Sequence, residues 1–241
     1  RRPEVGRERD QSFADFAERA SGSRSVEDTI REIVTFGLRN LSADQGGVTL
    51  LRPQGRLVSA GATDSAVEQA DKLQHALREG PCVQSAEQLR EITSPDLEHD
   101  RRWPIWGPQV ADLGLRSIVS VPLSSGPRRL GALNFYGAGL DQFNDDDLES
   151  ARFFAAHAAA ALDATITAET LRAAIETRTV IGQAQGILME RYSLDAKQSF
   201  AVLRRYSQNN NVRLHDLAEH LIKTGDLDSI DGLPRTDRAD R

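Results

Sequence analysis

The sequence predicts an α+β fold: an antiparallel sheet with flanking helices, joined through a long connecting helix to a C-terminal three-helix bundle. Three observations predict it. Short apolar runs come in pairs around turn signals between residues 47 and 136. The alanine-rich stretch Ala155-Ala-His-Ala-Ala-Ala-Ala161 sits in a helical pattern with no stop signal from about Asp145 to Met189. Two shorter helical patterns follow, separated by Asn209-Asn-Asn211.

Each element has its own reason. Phe13, Phe16 and Ala17, then Ile30, Ile33, Val34 and Leu38, recur at helical spacing, so helices are expected over roughly 11–19 and 25–40. Gly47-Val-Thr-Leu-Leu51 and Arg56-Leu-Val-Ser-Ala60 flank Pro53-Gln-Gly55 and read as a hairpin. Asp64 can cap a helix running to Leu77, which Gly80-Pro81 stops. Leu115 to Leu123 and Leu130 to Tyr136 read as two strands turned by the Ser125-Gly-Pro127 loop. Asn144 is a good N-cap for the long helix, and the aspartates behind it complement the macrodipole. After it, a pattern from about Leu194 carries Ala196, Phe200, Leu203 and Tyr206, and one from Leu214 carries Leu217, Ala218, Leu221 and Ile222 before the stop at Gly225. The core of this bundle is expected from the stripe Leu171, Ile175, Ile181, Ala184 and Leu188 against Phe200, Leu203, Leu217, Leu221 and Ile222.

Composition narrows the function classes. Hydrophobic residues make up 39% and charged residues 27%, which fits a globular protein. The net charge of −6 disfavours a uniformly basic nucleic-acid binder. Residues 169–223 nevertheless carry 8 basic against 6 acidic side chains, the net-positive stretch of the chain. The single cysteine excludes an internal disulfide and a cysteine-rich metal cluster. No long uncharged apolar run suggests a membrane span, and a reducing cytoplasm is the expected location. No P-loop or dinucleotide fingerprint occurs, and Asp145-Asp-Asp147 reads as helix capping, so no enzyme is expected. A helix of some 45 residues suggests pairing. A parallel homodimer is expected, with Leu162, Ile166, Leu171 and Ile175 as its seam. A break near residues 163–167 is the alternative.

Arg178-Thr-Val-Ile-Gly-Gln-Ala-Gln-Gly-Ile-Leu-Met-Glu-Arg191 resembles the core of the ANTAR family of RNA-binding antitermination modules. The likeness continues through Ala196, Phe200 and Leu203-Arg-Arg-Tyr-Ser207 to Leu214-His-Asp-Leu-Ala-Glu-His-Leu-Ile222. Gln185 stands where that family often has Lys. Ala43-Asp-Gln-Gly-Gly-Val48, Glu79-Gly-Pro-Cys82, Arg116-Ser-Ile-Val-Ser-Val-Pro-Leu123 and Gly131-Ala-Leu-Asn-Phe-Tyr136 resemble a GAF domain of the kind found before ANTAR modules in actinobacteria. The implied organisation is an N-terminal helical extension over 1–24, a GAF-like sensory domain over 25–165, an ANTAR-like domain over 166–225 and a flexible tail over 226–241. The resemblance implies an RNA-binding transcription antitermination regulator under GAF control. Its partner would be tandem RNA hairpins with hexanucleotide loops, and RNA polymerase indirectly.

The candidate RNA-binding residues are Gln183, Gln185, Arg191, Lys197, Arg204, Arg205, Tyr206, Arg213 and Lys223. Cations attract phosphate, and amide or aromatic side chains read splayed bases. Without the resemblance, residues 194–222 also read as a DNA-type helix-turn-helix, or as a protein-binding surface of a non-enzymatic signalling scaffold. The candidate sensory pocket is Cys82, Trp103, Trp106, Phe135 and Tyr136, the two tryptophans sharing a side if residues 101–112 are helical. Closure of the hydrophobic core is the competing reading for all five. His99 with Cys82 is too weak a pair for a metal or haem. No resident cofactor is expected, and a small GAF ligand of unknown identity is left open.

Overall fold

A computed structural model describes Phe16, residues 25–52 and residues 55–227. The chain divides into two units, Arg1–Thr167 and Ala168–Arg241. The expected helix over 11–19 lies, but for Phe16, outside the described residues, as do Pro53 and Gln54 of the expected turn and most of the expected tail.

The first unit contains α1 (Val26–Asn40), β1 (Gln45–Leu51), β2 (Leu57–Ala62), α2 (Ser65–Leu77), α3 (Pro81–Gln88), β3 (Ile92–Ser94), α4 (Trp106–Ala111), β4 (Ser117–Ser125) and β5 (Arg128–Gly137). The five strands form one antiparallel sheet in the order β2-β1-β5-β4-β3. Ser25 caps α1 and Asp64 caps α2 through side-chain bonds to the backbone. Gly80-Pro81 does not merely stop α2. Arg78 ends that helix in the left-handed conformation, and Pro81 opens α3, because the first turn of a helix needs no proline N–H. Residues 101–105 are not helical; helix α4 begins only at Trp106.

Side chains alternate across the sheet, so each face has its own core. Val48, Leu50, Val119, Val121, Leu133 and Phe135 pack with Ile30, Ile33, Val34 and Phe36 of α1. At Gly37 a Cβ would stand 2.1 Å from Phe135 Cζ, so only glycine lets α1 come this close. Phe16, Phe36 and Phe154 form a ring cluster in the same core. The opposite face carries Ile118 and Tyr136 against α2, α4 and the two tryptophans.

Helix α5 runs unbroken over Asp145–Tyr192. Asn144 and Asp147 bond each other's backbone N–H groups at its start, at 3.0 and 3.1 Å. Ala151, Phe154, Ala158 and Leu162 belong to the core of the first unit, and Ile166 packs against it. This corrects the expected seam: Leu162 is fully buried in its own chain and cannot face a partner.

In the second unit the last part of α5 is followed by α6 (Ala196–Asn210) and α7 (Leu214–Thr224). Asp195 and Gln198 form a capping box at the start of α6. Asn211 ends α6 in the left-handed conformation, so the asparagine run closes α6 and does not cap α7. Gly225 ends α7. The core is Ala184, Leu188, Leu203, Val212, Leu217, Ala218 and Leu221. Leu171, Ile175, Phe200 and Ile222, expected in this core, are exposed instead. Length is the reason: at 1.5 Å per residue α6 and α7 cover only about 22 and 16 Å. They bury the end of α5 and leave Leu171 and Ile175 uncovered.

Removal of the α6 cap in Asp195→Ala is expected to cost about 1 kcal/mol. Native-state hydrogen exchange should show it as an about 5-fold acceleration across the α6 amides, with α1 and the sheet unaffected.

Candidate functional site

Among the described residues, the candidate side chains fall on the exposed side of the three-helix unit and in the interior of the sheet unit.

In the three-helix unit, α6 carries Lys197, Arg204 and Arg205 and no acidic residue over Ala196–Asn210. All three cations are exposed. Among the described residues none of them forms an ion pair. Gln183 and Arg213 are also exposed. The other candidates are engaged within the chain. Gln185 Nε2 donates to Ala196 O at 2.8 Å and tethers α6 to α5. The Arg191 guanidinium donates to Gly225 O and ties the end of α5 to the end of α7. Lys223 reaches Glu219 at 3.5 Å. Tyr206 is half-buried against Leu203 and its neighbours. Of the candidate cations, those left to an anionic partner are therefore on α6, with Arg213 at the start of α7; Arg172 and Arg178 of α5 are exposed as well.

In the first unit the five candidate pocket residues are all buried; Trp103, Trp106 and Tyr136 share one core, and Phe135 belongs to the other. Phe135 faces the α1 side of the sheet, whereas Tyr136, one residue on, faces the α2 side. The pleat enforces that separation. Trp103 and Trp106 do meet, edge to face with ring centroids 5.7 Å apart, although residues 101–105 are not helical. Trp106 Nε1 donates to Ala70 O at 3.0 Å, and Glu79 accepts the backbone N–H groups of Ile105 and Trp106. Cys82 is buried, and burial, with Asp71 nearby, pushes its thiol up to about 12. A thiol of that kind is not a reactive sensor. His99 lies exposed and pairs with Asp96 at 2.9 Å, apart from Cys82.

Sequence reading missed the polar groups that surround these residues. Asp71 of α2, Thr49 of β1, Ser120 of β4 and Asn134 of β5 are fully buried. Thr49 Oγ1 donates to Asp71 Oδ2 at 3.2 Å, and Ser120 Oγ donates to Asn134 Oδ1 at 2.6 Å. Asp71 Oδ1, Gln74 Nε2, Asn134 Nδ2, Trp103 Nε1 and Tyr136 Oη are buried without a partner in the protein. Unmatched buried polar atoms cost about 1–3 kcal/mol each. Burial raises the Asp71 carboxyl to about 6, against the bonds from Ser59 and Thr49 that favour its charge. Burial likewise pushes the Tyr136 hydroxyl well above its ordinary value. Only the i, i+4 spacing of Asp71 from Val67 points to an inward position.

The GAF domain family model matches residues 23–163, and the ANTAR domain model matches residues 169–222. No curated protein matches the sequence significantly. Among solved structures, the first unit is similar to the GAF domain of an Acinetobacter phosphoenolpyruvate-protein phosphotransferase, at 12% identity and a TM-score of 0.53, over 66% of this chain and 96% of that one. It is similar also to the GAF domain of the phosphoenolpyruvate-protein phosphotransferase from Coxiella burnetii, at 16% identity and a TM-score of 0.52, over 66% and 95%. These likenesses concern the fold.

The Asp71 carboxyl couples folding to pH. Its folded value of about 6 lies above the ordinary 3.8, so the unfolded chain loses its proton first as pH rises. The contribution of this group to stability is full below pH 4, falls between pH 4 and 6, and is flat above. At about 1.4 kcal/mol per pKa unit the total loss is about 3 kcal/mol. Asp71→Asn should be more stable than the parent by up to that amount at pH 7.5, the advantage disappearing near pH 4. Chemical denaturation across that range is the measurement; parallel profiles for the two proteins would refute the buried charge.

Proposed function

We propose, from the premise that this chain belongs to the GAF domain family and continues into an ANTAR domain, that it is an RNA-binding antitermination regulator of the actinobacterial kind, acting without enzymatic activity in the cytoplasm. In this reading the ANTAR unit holds paired stem-loops with hexanucleotide loops in a nascent transcript and keeps a terminator from forming, which changes the outcome for RNA polymerase. The GAF unit supplies the control. The observation that carries the reading is α6: three exposed cations without an acidic neighbour on the helix, inside the segment that the ANTAR family matches. The unmatched polar atoms around Asp71 and Asn134 support a small polar ligand or ordered water as the sensory occupant. Among the described residues no helix is long and apolar enough to cross a membrane.

The homodimer is part of the same reading, with a revised seam. Leu171 and Ile175 are 59% and 64% exposed. At Gly182 and Gly186, further along the same helix, an added Cβ would meet nothing within 4 Å. Two glycines within a helix cost about 1 kcal/mol each relative to alanine, and no close packing inside this chain repays it. A second α5 lying alongside would use both features. Two ANTAR units in one assembly would then engage two hairpins, the second at high effective concentration.

Binding of the full chain to a two-hairpin RNA with six-nucleotide loops should exceed binding to one hairpin and to duplex DNA, and should weaken as salt rises. Equal affinity for all three would sink the stem-loop reading. Leu171→Glu with Ile175→Glu should halve the mass seen by light scattering and reduce two-hairpin affinity while sparing one-hairpin affinity. A parent protein that is monomeric at micromolar concentration would rule out the dimer.

A further inference from the structure

Apolar periodicity assigns Phe200 to the core of the three-helix unit, but its side chain is 38% exposed. The capping box at Asp195 sets the phase of α6, and Ser199 and Leu203 take the buried positions. Lys197, Phe200, Ala201 and Arg204 then stand at i, i+3, i+4 and i+7, on one face of the helix. All four are exposed. Neighbours at such spacings have Cβ atoms about 5–6 Å apart, so an ammonium and a guanidinium flank the aromatic ring. Neither cation is held in an ion pair among the described residues. Arg205 adds a third positive charge beside this face, and no carboxylate on α6 offsets them.

The face is poorly made for a protein partner. Apolar docking needs a contiguous patch, and here Phe200 and Ala201 are the apolar members between cations. It suits an unpaired nucleotide. A base splayed from a loop has a π face for the ring, and the phosphates before and after it meet the two cations.

We propose that Phe200 is a base-stacking platform for one unpaired loop nucleotide, with Lys197 and Arg204 holding the phosphates on either side. This rests on the RNA reading of the ANTAR unit and adds a residue that confers loop selectivity. Stacking and charge contribute separately. The ring should account for preference for an unpaired base, and the cations for the dependence on salt.

The test uses the full chain and a labelled two-hairpin RNA with six-nucleotide loops, followed by anisotropy over a range of salt concentrations. Phe200→Leu keeps apolar bulk for the buried part of the ring and removes the π face; it should weaken binding about 5- to 100-fold without changing the slope of log affinity against log salt. Phe200→Trp should bind within about 3-fold of the parent, since stacking tolerates the larger ring. Arg204→Gln should reduce the slope by about 0.7. An abasic site moved through the loop, read with the parent protein, should identify one sensitive position, and Phe200→Leu should lose nothing further on that RNA. Parent-level affinity in Phe200→Leu, or a loop with no sensitive position, overturns the platform and leaves the RNA reading standing. A parent protein that binds none of the RNAs overturns the RNA reading itself, and the platform with it.

Discussion

The register of β5 is the constraint on which the first unit depends. Ser120 opposes Asn134 and Val119 opposes Phe135 across the β4–β5 ladder. Successive residues of β5 therefore serve two interiors of different chemistry. Leu133 and Phe135 enter a core that is almost entirely hydrocarbon, and Asn134 and Tyr136 enter one that also holds Asp71, Thr49, Ser120 and Cys82. A slip of one residue would exchange the two sets, placing an amide and a phenol among the phenylalanines. The hydrocarbon core holds the register, since Phe135 fits against Gly37 and no other residue of α1 offers that space. One side of the sheet thus supplies the stability that lets the other side carry unmatched polar groups.

The second unit is governed by the unequal length of its helices. Helix α5 has 48 residues, and α6 and α7 have 15 and 11. A short helix can cover only the stretch of α5 that it runs beside, so the apolar stripe of α5 is buried at Ala184 and Leu188 and bare at Leu171 and Ile175. The same hydrophobic periodicity therefore has two destinies along one helix. The sequence contains the periodicity, and only the packing says where it ends.

This explains which parts of the molecule the sequence made legible. Helix starts at Asp64 and Asn144, the paired strands around Ser125-Gly-Pro127 and the stop at Gly225 follow from local chemistry that acts within a few residues. Helix α3 escaped because Gly80-Pro81 signals a stop as well as a start, and β3 is too short, at three residues, to show an alternating pattern. The cations of α6 were legible because charge drives them outward. Asp71 and Asn134 were not, because polar residues read as surface until the tertiary fold encloses them. Phe200 failed in the opposite sense: being apolar marks a residue for burial, and only the phase and length of the neighbouring helices decide whether burial is available.

The chain as a whole is at −6, which in bulk repels a polyanion. At an ionic strength near 0.15 M, exposed charges farther apart than about 8 Å are largely screened from one another. Under the proposed reading, a nucleotide on α6 would respond first to Lys197, Arg204 and Arg205, the cations that helix carries. Under the proposed function, an acidic chain with a locally basic helix would gain selectivity: the overall charge disfavours weak, distributed association with nucleic acid, and a partner that places phosphates and an unpaired base on one helix face would recover the attraction. Lower salt lengthens the screening distance and admits the acidic majority to the balance, so the local attraction and the global repulsion oppose each other most when salt is scarce.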